Sequence, residues 1–183
     1  MSKILYIHGF SSCGVGNKST ELKKYFSSDE VLSPNLPYSP LEAIQYLENI
    51  LQNETIDLLI GSSLGGFYAT YLAEKYGMKA VLLNPSTQPW KTLAPYVGKQ
   101  KRFCDEDLFD FKASYIEEMK TLEVLPVKGQ YLLLLQSEDE LLDYTKAQSL
   151  YNTQKIIVEY GGNHRFENIN DYMSLIENFN KEV

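Results

Sequence analysis

The segment Gly61-Ser62-Ser63-Leu64-Gly65 follows directly on the apolar run Ile56-Asp57-Leu58-Leu59-Ile60, and a helical pattern begins at Leu64. A serine flanked in this way, with a strand before it and a helix after it, sits on a turn so tight that neighbouring backbones touch. Glycine is required on either side for that reason. Gly66 supplies a third small residue, which lets the new helix lie close against the neighbouring strands. The turn lifts the serine hydroxyl above the carboxyl end of the sheet. Ser63 is therefore the candidate nucleophile, and the rest of the chain has to supply its partners.

Apolar runs alternate with helical stretches from end to end, the pattern of parallel strands joined by crossover helices. Strands are predicted at 3–7, 30–32, 56–60, 80–83, 131–136 and 155–159, and helices at 16–26, 40–51, 64–76, 143–151 and 169–179. Pro40 suits the first turn of its helix, and Gly77 suits the residue that ends the third. The fold class expected is α/β, a mostly parallel six-stranded sheet with helices on both faces, in a single domain spanning residues 1–183. One stretch breaks the alternation. Residues 86–128 are predicted to contain no strand, only polar and aromatic residues with helical spacing over 105–122. That is more chain than one crossover needs, and such insertions commonly form lids or binding elements.

Net charge is −7 without basic runs, so nothing electrostatic draws the chain to nucleic acid or to an anionic membrane. No apolar run approaches the ~20 residues of a membrane span. The opening Met1-Ser2-Lys3-Ile4-Leu5-Tyr6-Ile7-His8 reads as a strand rather than a targeting segment. Cys13 and Cys104 are read as unpaired, which suits a reducing, cytoplasmic compartment.

A serine that attacks an acyl group needs a base, a group that holds the base, and donors for the oxyanion. The chain holds two histidines. In a strand–serine–helix site the acid and the histidine follow the serine in chain order. His164, in Gly161-Gly162-Asn163-His164-Arg165-Phe166 after the last strand, is then the base. His8, in His8-Gly9-Phe10 after the first strand, is a structural histidine that fixes its loop. The backbone N–H groups of Phe10 and Leu64 are the expected oxyanion donors. The acid lies in Ser137-Glu138-Asp139-Glu140-Leu141-Leu142-Asp143-Tyr144. Asp139 fits best, on the turn beyond Gln136 and followed by Leu141-Leu142; Asp143 is the alternative, although it also suits a helix N-cap. Glu138 and Glu140 are expected to be solvated.

Two other chemistries fail on spacing. Gly14-Val15-Gly16-Asn17-Lys18-Ser19-Thr20 superficially resembles a phosphate-binding loop, but Ser12 and Asn17 stand where that motif needs glycine. Two distant histidines and two separate cysteines offer no zinc-ligand spacing. Neither a metal nor a cofactor is called for.

With these residues in place, the chain resembles the small bacterial YqiA-type esterases of the α/β-hydrolase superfamily. The likeness lies in Leu5–Phe10, Gly61–Thr70, Leu72–Gly77, Lys79–Pro85, Asp139–Tyr144 and Gly161–Phe166, in the same order along nearly the whole chain. The resemblance implies an α/β-hydrolase fold, carboxylesterase or thioesterase activity on a small-molecule substrate, and Ser63, Asp139 and His164 as the triad. It departs at Glu138, where the family pattern tends to glycine. A serine peptidase with the same machinery, and an interaction protein whose triad is idle, are the competing readings. The segment 86–128 carries little of the likeness. It is expected to be a lid whose Trp90, Phe109 and Phe111 line an acyl pocket, or else an insertion whose aromatics pack it onto the body.

Overall fold

The computed structural model describes residues 2–182. Its centre is a sheet of six strands: β1 (Lys3–Ile7), β2 (Glu30–Leu32), β3 (Leu58–Ser62), β4 (Lys79–Leu83), β7 (Gln130–Gln136) and β8 (Lys155–Glu159). They lie in the order β2-β1-β3-β4-β7-β8, and every neighbouring pair is parallel. Alternate side chains leave opposite faces of a strand, so each apolar run feeds two cores. Leu5, Ile7, Leu59, Leu82, Leu133 and Leu135 face one side. Against them pack α2 (Pro40–Asn53), α3 (Leu64–Tyr76) and α6 (Tyr144–Leu150). Ile4, Tyr6, Leu58, Ile60, Val81 and Leu132 face the other, beneath α1 (Asn17–Tyr25) and α7 (Met173–Lys181). Burial on both faces is why these strands read as continuous apolar runs rather than as an alternation.

The predicted elements fall close to the observed ones, with three physical exceptions. Strand β3 starts two residues later than its apolar run, because Asp57 is spent at the strand entry, where its carboxylate accepts the Lys3 N–H at 2.7 Å. The last predicted helix divides into a 3₁₀ turn at Ile169–Tyr172 followed by α7. The third exception is the insertion, which does contain strands. After α4 (Pro89–Thr92), β5 (Gly98–Lys101) and β6 (Leu108–Phe111) form an antiparallel hairpin, and only then does α5 (Ala113–Thr121) begin. Leu108-Phe109-Asp110-Phe111 alternates out and in, with Phe109 and Phe111 buried, and this two-residue period prevails over helical spacing in so short a run.

The two cysteines are not unpaired. Cys13, on the loop after β1, is bridged to Cys104 at the tip of the hairpin, with Cα atoms 6.2 Å apart, inside the usual disulfide range. The reading of a reducing compartment loses the support it drew from them. Among the described residues no helix is long and apolar enough to cross a membrane.

The bridge closes a loop across 91 residues of sequence separation, and restricting the unfolded chain over a loop of that span stabilises a fold by about 4–5 kcal/mol. Reduction, or Cys13→Ser, is expected to lower the melting temperature by several degrees. Thiol titration in denaturant without reductant should find no free thiol. Two free thiols per chain would contradict the pairing.

Candidate active site

Strand β3 delivers its chain to Ser63, which adopts φ 55° and ψ −118° before α3 starts at Leu64. That backbone conformation costs a non-glycine residue about 1–3 kcal/mol. Four backbone hydrogen bonds hold it: Ser63 N–H to Leu83 O at 3.0 Å, and to Ser63 O the N–H groups of Gly66 at 2.9 Å, Ser86 at 3.0 Å and Phe67 at 3.4 Å. The flanking glycines are explained by contact. A Cβ on Gly61 would fall on the Gly65 carbonyl, and one on Gly65 would fall on the carbonyls of Ile7 and His8. It is Gly65 that brings α3 against β1, whereas Gly66 makes room for Pro85.

His164 Nε2 lies 3.0 Å from Ser63 Oγ. Its Nδ1 lies 2.8 Å and 3.0 Å from the two carboxylate oxygens of Asp139. The carboxylate accepts from Nδ1–H, so Nε2 is left to accept the Ser63 hydroxyl. Asp139 is itself held on its turn, with Oδ1 accepting the N–H groups of Leu141 at 2.9 Å and Leu142 at 2.8 Å. Its side chain is 2% exposed, which preserves the strength of the charge–imidazole contact. The alternative acid, Asp143, caps α6 instead by accepting the Thr145 N–H at 3.0 Å. Glu138 takes the place of a glycine without strain, since its φ is negative.

Two polar residues that the sequence reading passed over, Asn84 and Gln136, seat the histidine. Asn84 Oδ1 accepts the Gln136 N–H at 2.9 Å, and Asn84 Nδ2 donates to Asn163 O at 3.1 Å. Gln136 Oε1 accepts the Asn163 N–H at 2.9 Å. Gly162, at φ 77°, lies flat on the Gln136 amide, where any Cβ would collide. Glu140, expected to be merely solvated, accepts the His164 N–H at 2.9 Å. That bond favours the ionised form of the carboxylate and holds it below its ordinary range. The only signal for these roles was position, since Asn84 and Gln136 each end a strand with a buried polar side chain.

The first loop lies against the serine: a Cβ on Gly9 would stand 3.2 Å from that of Ser63. Neither the Phe10 nor the Leu64 N–H donates to a protein acceptor among the described residues. His8 Nε2 accepts the Leu36 N–H at 3.1 Å, so Nδ1 carries the proton and donates to Gly9 O at 2.9 Å. Burial pushes the imidazole below its ordinary range; the Gly9 bond opposes this and the Arg102 charge adds to it. His8 is thus a neutral strut between two loops.

Ser63 and His164 open into a cavity of about 400 Å³, walled by Phe10, Leu93, Tyr96, Phe103, Leu141 and Leu142 among others. Trp90, Phe109 and Phe111 are not in that wall. Trp90 stands edge-on to Phe67, and Phe109 and Phe111 pack behind Phe10 with ring centroids 5.9 Å and 4.9 Å away. Tyr38 stacks on Phe109 at 4.0 Å. The inward face of a short hairpin has to be buried, and these rings are what fastens the insertion to the body. For metal chemistry, the described residues offer one grouping of ligand atoms, Cys13, Cys104 and Asp105, and both of its sulfurs are committed to the disulfide.

Residues 3–181 match a family described as an uncharacterised protein family, UPF0227. A UPF0227 protein of Vibrio parahaemolyticus is 27% identical over 186 residues, covering 96% of this chain and 98% of its own. Among solved structures, alpha/beta hydrolase domain-containing protein 10 from mouse superposes with a TM-score of 0.74 at 17% identity, covering 96% of this chain and 87% of that one. A monoacylglycerol lipase of Paleococcus ferrophilus gives 0.72 at 16%, covering 97% and 93%. These likenesses show the α/β-hydrolase fold.

The His8 strut generates a pH dependence of stability. Its folded pKa lies below the unfolded value of about 6.5. As pH falls below 6.5 the unfolded chain takes up the proton first, so the contribution of His8 is complete above that pH and is lost beneath it. Urea midpoints at pH 7.5 and pH 5.0 should differ more for the wild type than for His8→Gln. Equal differences would remove the strut from the account.

Proposed function

We propose that this chain, which belongs to the uncharacterised protein family UPF0227, is a serine hydrolase that cleaves carboxylic esters or thioesters through an acyl-serine intermediate. The observation that carries the reading is the unbroken hydrogen-bonded line from Ser63 Oγ through His164 to Asp139, at 3.0 and 2.8 Å. It opens on a cavity large enough for a small acyl group. The fold it shares with hydrolases and lipases supports the same reading.

The steps follow from the atoms. His164 Nε2 takes the Ser63 proton as Oγ bonds to the substrate carbonyl carbon, and the carbonyl oxygen becomes an anion. The N–H groups of Phe10 and Leu64 receive that anion, at the loop after β1 and the start of α3 respectively. Donors fixed in advance of the charge are the largest contribution to such reactions. The carbon–leaving-group bond then breaks and the departing alkoxide or thiolate takes the proton from His164. Water repeats the sequence on the acyl-serine, with His164 as its base, and releases the acid. Asp139 keeps Nδ1 protonated and stabilises the imidazolium without taking the proton itself.

Ser63→Ala is expected to lower kcat on a p-nitrophenyl ester by about 10⁶, and Asp139→Asn by about 10⁴. Asp143→Asn keeps a side chain that caps α6 and should cost little stability and little turnover. A Ser63→Ala enzyme that keeps a tenth of wild-type activity, or an Asp143→Asn enzyme that is dead but folded, would contradict the roles. Gln136→Leu removes the seat of the His164 loop without touching the substrate. It should lower kcat by about 10²-fold, the scale of an ångström's misplacement, and leave KM nearly unchanged. Equal changes in kcat and KM would argue against a positioning role.

A further inference from the structure

The Cys13–Cys104 bridge joins two walls of the catalytic cavity. Cys13 follows Phe10 and Ser11 on the loop after β1, and Cys104 follows Gln100, Lys101 and Phe103 into the tip of the β5–β6 hairpin. All five of those neighbours line the space that contains Ser63 and His164. The two walls are held very differently. The β1 loop has attachments of its own: Gly14 N–H donates to the Asn35 side chain at 2.8 Å, and His8 accepts the Leu36 N–H at 3.1 Å. Gly14 also lies so close to Ser33 and Pro34 that a Cβ there would collide. The hairpin tip is loosely held by comparison. Its ion pairs, Arg102 with Asp105 and Asp107 and Lys101 with Glu106, run within the hairpin. Apart from the bridge, its polar links to the body among the described residues are Phe103 N–H to Ser11 O at 2.9 Å and the Arg102 guanidinium over the Tyr38 ring. The Phe103 side chain is 79% exposed, so packing does not keep it in the wall. Its place depends on Cys104, the residue beside it.

We infer that the Cys13–Cys104 bridge is a thiol–disulfide exchange site, through which a dithiol reductant sets how tightly the enzyme holds its ester. The inference rests on the acyl-serine reading above and concerns the regulation of that site. Cys104 is exposed and Cys13 is buried, and exposed disulfides are the ones open to exchange. A thiolate of the reductant attacks Cys104 Sγ, the sulfur–sulfur bond breaks, and Cys13 leaves as a thiolate that takes up a proton. The second thiolate of the reductant displaces Cys104 from the mixed disulfide and closes the reductant's own bridge. The protein gains two electrons and two protons. The tip then keeps one backbone hydrogen bond and one ring contact, and Phe103 leaves the wall. The base of the hairpin stays in place, because Phe109 and Phe111 are packed behind Phe10. The β1 loop keeps its own attachments, so the Phe10 N–H remains beside Ser63. Contact with the bound ester is lost while the line from Ser63 to Asp139 is untouched, a change that raises KM and leaves kcat.

The test measures kcat and KM for p-nitrophenyl butyrate on the whole chain as purified, after dithiothreitol treatment and desalting under argon, and after reoxidation with diamide. Near-ultraviolet circular dichroism follows the fold in each state. Reduction should raise KM about fivefold to tenfold, the scale of one or two buried methylene contacts, with kcat nearly unchanged, and reoxidation should restore KM. Cys104→Ala should show the higher KM with or without dithiothreitol treatment. Phe103→Ala, with its bridge intact, should show it in the oxidised state. A KM that reduction does not move, a reduced chain that loses its near-ultraviolet signal, or a dithiothreitol effect that persists in Cys104→Ala overturns the inference. Failure of the acyl-serine reading looks different: Ser63→Ala would continue to hydrolyse the ester in both redox states.

Discussion

The structure turns on the backbone of Ser63. Its φ of 55° is unfavourable for a residue with a Cβ, and it persists because the surroundings leave no alternative. Leu83 at the end of β4 accepts its N–H, and the N–H groups of Ser86 and Gly66 take its carbonyl. Gly61 and Gly65 allow α3 to sit close enough to β1 and β3 for those bonds to form. From this turn the remaining geometry follows. The serine is lifted above the sheet, Leu64 starts a helix whose first N–H is free of an intrahelical acceptor, and the loop after β1 lies against the serine. The strained residue and its raised position above the sheet are one feature.

The sheet extends that constraint across the molecule. Because the order is β2-β1-β3-β4-β7-β8 and all strands run parallel, the loops bearing Phe10, Ser63, Asp139 and His164 leave the same edge. The two cores, one on each face, fix the spacing between those loops. Polar side chains at the strand ends refine it. Asn84 and Gln136 tie the ends of β4 and β7 to the loop after β8, so the imidazole is positioned by the body of the sheet rather than by its own flexible glycines.

Much of this was legible in the chain. Apolar runs buried on both faces and glycines around a serine are local signals, and so is the placement of a histidine after the last strand. The polar seat was not legible, because Asn84 meets Gln136 across 52 residues and Glu140 meets His164 across 24. No local pattern announces such a contact. The insertion misled for a different reason. A four-residue strand such as Leu108–Phe111 is shorter than the window over which a period can be told apart, and its aromatics resemble a pocket lining when read in sequence alone. In the fold they face the back of Phe10. The Cys13–Cys104 bridge joins segments with no sequence relation to one another, and only the approach of the hairpin to the loop after β1 reveals it. Phe103 next to the bridge also donates its N–H to Ser11 O at 2.9 Å, so the hairpin is fastened to the rim of the cavity at two adjacent points.

The central claim is that the line from Asp139 through His164 makes the Ser63 hydroxyl nucleophilic, and an alkyl fluorophosphonate reads that property without assuming a substrate. Intact-protein mass spectrometry followed by peptide mapping should find one phosphonyl adduct per chain, on Ser63, formed at a rate that falls steeply in His164→Ala. Folded wild-type protein that stays unlabelled at Ser63, or that labels equally well without His164, would contradict it.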